Sequence, residues 1–283
     1  MRKLTQQELR EQFDQDVERF SNIQAGQNSI MDSVLVSDLM EKAIKAMTPQ
    51  ARTACDIGCG AGNYALRVLR QFPEIELTLI DLSPNMLDRA VQRITEQKGK
   101  IKARIEGDIR DVALEPESFD VMTAAAVLHH LRSRQEWDGV MRKIYRALKP
   151  GGMFWLWDLV KYDDPRMQAI QYERYADYLI EHEGAEFQKM IFERVEQSDT
   201  PENTAFIFQK MLEVCRPIST SIFHRRSASP PRWASAARSV PSARWNVASP
   251  KPRNSASSRS TFRRSIRRLL SPNGRKRPRA ASP

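Results

Sequence analysis

The sequence has 283 residues, which is long enough for one or two domains with a sizeable buried core. Its 45 basic and 35 acidic residues give a net charge of +10, but its apolar runs, such as residues 153–157, are far shorter than the roughly 20 residues that span a bilayer, so we expect no membrane span. Three cysteines and an amino terminus without an apolar leader disfavour a secreted disulfide scaffold, and we predict a cytoplasmic protein with reduced thiols.

The charge is divided unevenly along the chain. Residues 216–283 hold 17 basic residues and no acidic residue, whereas residues 1–215 hold 28 basic and all 35 acidic residues. Residues 216–283 therefore carry a charge of +17, and residues 1–215 carry a charge of −7. The net charge alone does not identify a nucleic-acid-binding domain, since the larger part of the chain is acidic.

Residues 1–50 are predicted to form an amino-terminal helical segment. Apolar residues recur there three or four positions apart, which is the period of an amphipathic helix. They include Leu9, Phe13, Val17 and Phe20. We expect this segment to be a lid or a packing layer.

Residues 51–160 alternate short apolar runs with amphipathic stretches, which is typical of parallel βαβ units. The pattern predicts an α/β protein with an open, doubly wound sheet. Strands are predicted near residues 52–57, 75–81, 101–106, 119–125 and 153–158, and helices near residues 62–72, 84–97 and 134–148. Gly151 is predicted to cap the last of these helices.

Residues 161–215 return to a helical pattern and are predicted to cover the functional edge of the sheet. Thr200 and Pro201 are predicted to mark the start of the last helix there.

Residues 216–283 are rich in Arg, Ser and Pro and show neither helix nor strand periodicity, so we predict a disordered basic tail. One reading makes it a nucleic-acid-binding arm, because arginines bind phosphates without sequence preference. The other is a change of reading frame near codon 215, which the abrupt loss of acidic residues favours. We adopt the frame change as the hypothesis and keep the binding arm as its alternative.

The stretch "DIGCGAG" places Gly58, Gly60 and Gly62 between a predicted strand and a predicted helix. Glycine allows a sharp turn and a close approach of a ligand to the backbone, and the amides that open the helix favour a negative group. Dinucleotide-binding folds use G-x-G-x-x-G, but Asn63 occupies the position of the third glycine here. The spacing therefore disfavours a pyrophosphate. Asp56, just before the loop, is a candidate partner for a cationic amine.

Two further acids end the next two predicted strands. Asp81 follows Gly58 by 23 residues, near the spacing of an acid that binds ribose hydroxyls. Ser83 and Pro84 suit the cap and first position of a helix, which would set Leu82 and Met86 beside an adenine. Asp108 could accept a hydrogen bond from an adenine amino group, and the amide of Ile109 could bind a ring nitrogen.

Together, "DIGCGAG", "LIDLSPNML", "EGDIRD", "FDVMTAAAVLHHL" and "LKPGG" resemble the ordered motifs of class I S-adenosylmethionine-dependent methyltransferases over about residues 50–160. The resemblance implies a Rossmann-like fold and S-adenosyl-L-methionine as cofactor. It implies that the loop from Asp56 to Gly62 holds the methionine part, Asp81 the ribose, and Asp108 with Ile109 the adenine. Ala125, between Ala124 and Ala126, would flank the sulfonium.

Candidate general bases are His130, after the fourth predicted strand, and Asp158, after the fifth; His129 is a weaker candidate. A structural role is the alternative for these histidines. Cys55 and Cys59 are too few for a zinc site, which normally needs four ligands, so we predict no metal.

We therefore predict a methyltransferase that transfers a methyl group to a small-molecule acceptor. Motifs such as "FDQDVERFSN" and "KIYRALKPGG" also resemble the carboxy-S-adenosylmethionine synthases of tRNA wobble-uridine modification, and the later motifs resemble methyltransferases of the trans-aconitate type. The alternatives are such a synthase, a nicotinamide oxidoreductase and a nucleic-acid-binding protein that uses the tail. No motif in the sequence identifies the acceptor or the oligomeric state.

Overall fold

The computed structural model describes residues 2–21 and 30–215. The predicted disorder, nucleic-acid-binding arm and frame change of residues 216–283 lie outside the described residues.

A five-stranded parallel sheet forms the centre of the fold, with the strand order β3-β2-β1-β4-β5. The predicted strands are confirmed, with small shifts at their ends. They are β1 (Thr53–Ile57), β2 (Glu76–Asp81), β3 (Lys100–Glu106), β4 (Phe119–Ala125) and β5 (Leu148–Trp157). Since β1 lies between β2 and β4, the chain reverses its direction of winding beside β1, and a crevice for ligands is expected there.

The described residues also form nine α-helices. They are α1 (Gln6–Gln15), α2 (Val17–Ser21), α3 (Ser33–Met47), α4 (Asn63–Gln71), α5 (Pro84–Glu96), α6 (Arg134–Ala147), α7 (Pro165–Glu183), α8 (Ala185–Ser198) and α9 (Thr204–Cys215), with a short 3-10 turn at Leu128–His130. The helices predicted in the two flanking segments are confirmed. The last one begins at Thr204 rather than at Thr200.

Helices cover both faces of the sheet, as the term doubly wound requires. On β2, Leu77 and Leu79 face a core cluster that contains the buried residues of α3, α4 and α5, whereas Ile80 faces a second cluster built from α6 and α9. Successive side chains of a strand point to opposite faces. A strand that is buried on both faces therefore reads as the near-continuous apolar run seen in the sequence.

Side-chain caps fix the start of the helices nearest the crevice. Ser83 accepts a hydrogen bond from the amide of Met86, and Pro84 occupies the first turn of α5, as predicted. Thr5 and Glu8 form a reciprocal capping box at the start of α1. Each cap satisfies amides that the helix itself leaves without a partner.

The predicted cap at Gly151 is wrong. Helix α6 ends at Ala147 with Leu148 as its cap, and β5 begins at once. Gly151 has φ +80° and lies where β5 shifts its register against β4, between Phe119 and Val121. Its left-handed backbone thus serves a strand irregularity instead of a helix end.

Across residues 2–21 and 30–215, no helix has the length and apolar character needed to cross a bilayer.

Candidate functional site

A largely apolar cavity opens at the carboxyl ends of the central strands. Its lining comes from the segments that follow β1, β2, β3 and β4, and from the amino-terminal helices above them. Most of the predicted cofactor-binding residues are brought together there, namely Gly58, Gly60, Asp81, Leu82, Met86, Asp108, Ile109 and Ala125, along with the candidate base His130.

The loop between β1 and α4 needs glycine for two separate reasons. Gly58, Gly60 and Gly62 have φ values of +63°, +50° and +83°, a region that L side chains seldom adopt. A Cβ on Gly58 would also lie 2.4 Å from Val127 Cγ2, and one on Gly62 would lie 3.1 Å from the Cβ of Ala90. A Cβ on Gly60 would meet no atom within 4 Å. The loop is thus packed at Gly58 and Gly62, and open at Gly60.

Asp81 holds this loop from the end of β2. Its Oδ2 accepts a 2.7 Å hydrogen bond from the amide of Gly60, and its Oδ1 accepts one of 2.9 Å from the amide of Ser83. Burial raises the pKa of Asp81 to about 6, although both amides favour the charged form. The carboxylate keeps acceptor capacity at the cavity wall, since each oxygen can accept two hydrogen bonds.

Asp56 lies beneath the loop. Its Oδ1 accepts a 2.6 Å hydrogen bond from the hydroxyl of Thr123, and its Oδ2 accepts one of 3.1 Å from the amide of Ala65 in α4. Burial raises the pKa of Asp56 to about 7. Of the predicted cofactor-binding residues, Asp56 and Gly62 are outside the cavity lining. Through these hydrogen bonds, Asp56 joins β1, β4 and α4.

Asp108 follows β3 and is engaged by two neighbours. Arg110 donates to both carboxylate oxygens, at 2.9 Å from Nε and 2.7 Å from Nη2, and the side-chain amide of Gln6 donates to Oδ2 at 2.9 Å. Burial acts to raise the pKa of Asp108, but the hydrogen bonds from Arg110 hold it below its ordinary value. A ligand that donates to Asp108 has to compete with Gln6.

Apolar residues complete the walls on either side of these acids. Met86 is buried in the first turn of α5, and Ile109 is buried after β3. Ala125 ends β4, and Ala126 after it has φ +54°, an uncommon conformation for a residue with a Cβ. Such strain is frequent at ligand sites.

The two candidate bases are placed differently. His130 lines the cavity, its ring centroid 5.7 Å from that of Phe13 in α1, and burial holds the pKa of His130 well below its ordinary value. The Asp158 side chain is 2% exposed, outside the cavity lining. It accepts a hydrogen bond of 3.1 Å from the amide of His129 and pairs with its Nδ1.

His129 lies behind the cavity wall, between two carboxylates. Burial acts to lower the pKa of His129, but Asp158 and Asp199 raise it above its ordinary value. Asp199 lies between α8 and α9, where the amide of Thr200 also donates a 2.8 Å hydrogen bond to the carbonyl oxygen of His129. The carboxyl-terminal helices are attached to the 3-10 turn at this point.

Sequence reasoning missed how directly the amino-terminal segment forms the site. Leu9, Phe13, Phe20 and Ile30 line the cavity. The hydroxyl of Ser83 donates a 2.5 Å hydrogen bond to Asp14, which anchors α1 beside Asp81. The helical period of Leu9, Phe13 and Phe20 was the available signal, but it does not specify which surface a helix covers.

Residues 55–154 match a family model described as a methyltransferase domain. The resemblance of this part of the chain to class I methyltransferases is therefore confirmed.

Two curated relatives and one solved structure give the range of similarity. The chain is 28% identical over 173 residues to the demethylmenaquinone methyltransferase of Chlamydia caviae, covering 61% of this chain and 70% of that protein. It is 29% identical over 126 residues to the carboxy-S-adenosyl-L-methionine synthase of Klebsiella pneumoniae, covering 44% of this chain and half of that one. The structure of a candidate O-methyltransferase from Nostoc punctiforme shares the fold, with a TM-score of 0.51, 15% identity, and coverage of 71% of this chain and 53% of that one.

Proposed function

We propose that this chain is an S-adenosylmethionine-dependent methyltransferase that acts on a small-molecule acceptor by in-line displacement. The observation that carries the proposal is the arrangement of the glycine loop, Asp81 and Asp108 around one apolar cavity at three neighbouring strand ends. A ribose needs a carboxylate acceptor, an adenine needs apolar walls and polar groups at its edge, and both needs are met within this cavity.

The residues present fit this cofactor. Asp81 would hold the ribose, Leu82 and Met86 would pack beside the adenine, and Asp108 with Ile109 would bind its polar edge. The open space at Gly60 suits the close passage of the methionine part, and Ala125 is small enough to border the sulfur. When bound, the cofactor supplies a methyl group already activated on a positively charged sulfur.

The protein's main contribution would be alignment. An enzyme that holds two reactants in line can gain most of its rate from positioning alone. Leu9, Phe13 and Phe20 line the cavity with apolar side chains, which would disfavour water beside the reacting groups. His130 stays the predicted base for an acceptor that must lose a proton, because it lines the cavity and Asp158 does not.

Isothermal titration calorimetry with S-adenosylhomocysteine and with NAD tests the proposal. We expect saturable binding of S-adenosylhomocysteine and none of NAD. Binding of NAD alone would identify a nicotinamide oxidoreductase and overturn the assignment. A metabolite screen with the methyl group of the cofactor labelled would then identify the acceptor.

The second candidate function is the synthesis of carboxy-S-adenosylmethionine, which the similarity to the Klebsiella pneumoniae synthase favours. Mass spectrometry of the adenosine-containing compound that copurifies with the full chain separates the two functions. A carboxylated cofactor supports the synthase, whereas S-adenosylmethionine or S-adenosylhomocysteine supports the methyltransferase.

A further inference from the structure

Three potential metal ligands converge behind the wall of the cavity. They are His129 and His130 in the 3-10 turn and Asp199 between α8 and α9, and one ligand atom from each lies within 4.8 Å of the other two. Their side chains are 6%, 18% and 6% exposed, in that order. The sequence-based prediction of no metal considered only the two cysteines, whereas we now propose that His129 Nε2, His130 Nδ1 and Asp199 Oδ1 form a binding site for Zn²⁺.

The separations of these atoms suit ligands around a metal better than hydrogen-bonded partners. Asp199 Oδ1 lies 3.6 Å from His129 Nε2 and 3.5 Å from His130 Nδ1. Separations this long make poor hydrogen bonds. Ligands at the usual zinc distances of about 2.1 Å in a tetrahedron stand about 3.4 Å apart, whereas the same distances in an octahedron give about 3.0 Å. Both separations from Asp199 Oδ1 are nearer the tetrahedral value than the octahedral one, and two imidazole nitrogens with one carboxylate oxygen are a usual ligand set for Zn²⁺.

A second layer of contacts orients the ligands. Asp158 pairs with Nδ1 of His129, which directs the lone pair of Nε2 toward Asp199. Zinc-binding histidines commonly use a carboxylate in this way. The hydroxyl of Ser198 donates to Asp199 Oδ1, and so holds the third ligand in place.

The local charge is compatible with a cation. Asp158 and Asp199 lie on two sides of His129, and their charges offset those of Arg132 and Lys3 nearby. Lys3 donates to the carbonyl oxygens of Glu196 and Asp199, at 2.6 Å and 2.5 Å, and not to a carboxylate of the cluster. In these two hydrogen bonds Lys3 therefore does not compete with the histidines or the metal for either carboxylate.

The alternative occupant of this space is a proton. Without metal, His129 would carry it between Asp158 and Asp199, and His130 Nδ1 would donate a long hydrogen bond of 3.3 Å to the carbonyl oxygen of Ser198. Metal and proton compete for the same nitrogen lone pairs. A metal bound to His130 Nδ1 also prevents this nitrogen from accepting a proton. His130 Nδ1 therefore serves either as a metal ligand or as a general base, and not as both.

Three protein ligands leave a fourth coordination position. The ring of His130 also forms part of the cavity wall. The proposed ion would therefore join α8 and α9 to the wall of the methyltransferase cavity. This inference does not depend on the cofactor or acceptor proposed above.

The test uses the full-length chain, stripped with a chelator and titrated with Zn²⁺ by calorimetry, with bound metal measured by mass spectrometry after desalting. We expect about one ion per chain. Asp199→Asn and His130→Gln should abolish the uptake, and Asp158→Asn should weaken it by about 10- to 100-fold, as for other partners of metal-binding histidines. The visible spectrum of the Co²⁺-loaded chain should change in the same variants.

His182→Gln is the matched control, since His182 is an exposed histidine of α7 that is not part of the cluster. It should bind Zn²⁺ like the wild type, and Zn²⁺ should raise the thermal midpoint of both. If Asp199→Asn does not fold, the uptake of Zn²⁺ by His130→Gln is the decisive measurement. His130 has the most exposed side chain of the three ligands, so its replacement should disturb the fold least. No uptake by the wild type, or equal uptake by the cluster variants, would leave only a proton-bridged ion network and overturn the proposal.

Discussion

The backbone amide of Gly60 donates a 2.7 Å hydrogen bond to Oδ2 of Asp81, which lies at the end of the neighbouring strand. Through this bond, the residue proposed to bind ribose also fixes the loop proposed to hold the methionine part. Two parts of one ligand would thus be recognised by a single rigid unit. A change at either residue should therefore disturb both contacts.

Asp81→Ala should weaken the binding of S-adenosylhomocysteine by about 1 to 3 kcal/mol, because it leaves buried polar partners unsatisfied. Calorimetry on the folded variant measures the effect. Asp88→Ala is the control, since Asp88 forms only an exposed surface pair with Arg104, and it should bind normally. An unchanged dissociation constant in Asp81→Ala would remove Asp81 from the site.

The affinity for S-adenosylhomocysteine should fall as the pH drops through about 6. Burial raises the pKa of Asp81 to about 6, and ribose hydroxyls bind better to its charged form. The ligand thus favours the ionised state, and binding is full above this pKa and lost below it.

Calorimetry at about pH 8 and about pH 5 checks the direction of this change. Asp81→Asn, which cannot ionise, should show a flatter profile. Equal slopes in the wild type and in Asp81→Asn would assign the pH dependence to another group, such as Asp56, whose pKa burial raises to about 7.

Gly58→Ala should lower the free energy of unfolding by about 1 to 3 kcal/mol, through the left-handed backbone and the contact with Val127. Gly139→Ala is the matched substitution with the opposite expected sign. Gly139 lies in α6, and a Cβ there would meet nothing within 4 Å, so alanine should stabilise the helix by about 1 kcal/mol. Urea denaturation measures both. Similar effects of the two substitutions would show that the loop does not require glycine at Gly58.

The strands of the sheet could be predicted because the residues that specify each strand are neighbours in the sequence. Strands β1 to β4 are five to seven residues long, and each is followed by the loop residues that mark its end. The same short-range pattern predicted that Asp81 and Asp108 follow the ends of neighbouring strands, and the cavity lies at these ends. The cap at Gly151 was predicted wrongly because glycine after a helix serves a strand bulge equally well.

Longer-range contacts of the site left no such signal. Asp56 occupies a strand end like Asp81, yet Thr123 and Ala65 draw its carboxylate under the loop. Asp158 is 29 residues from His129 along the chain, and Thr200, which follows Asp199, is 71 residues from His129. Only the folded chain shows which acids line the cavity and which meet a histidine.

The contact between Gln6 and Asp108 leads to the last prediction. Gln6 donates a 2.9 Å hydrogen bond to Oδ2 of Asp108, the carboxylate proposed to accept from the adenine amino group. Arg110 already engages both oxygens, so an adenine has to displace Gln6. The bond lies in an exposed setting, where its loss should cost the fold little.

Gln6→Ala should therefore tighten the binding of S-adenosylhomocysteine by a few-fold, corresponding to about 0.5 to 1 kcal/mol for one neutral donor removed. Gln7→Ala is the control, since Gln7 in the same turn of α1 donates only to Glu11 on the exposed face, and it should leave the dissociation constant unchanged. Calorimetry on both variants provides the comparison. Weaker binding in Gln6→Ala alone would mean that Gln6 assists the ligand instead of competing with it, and that α1 closes over an occupied site with this contact in place.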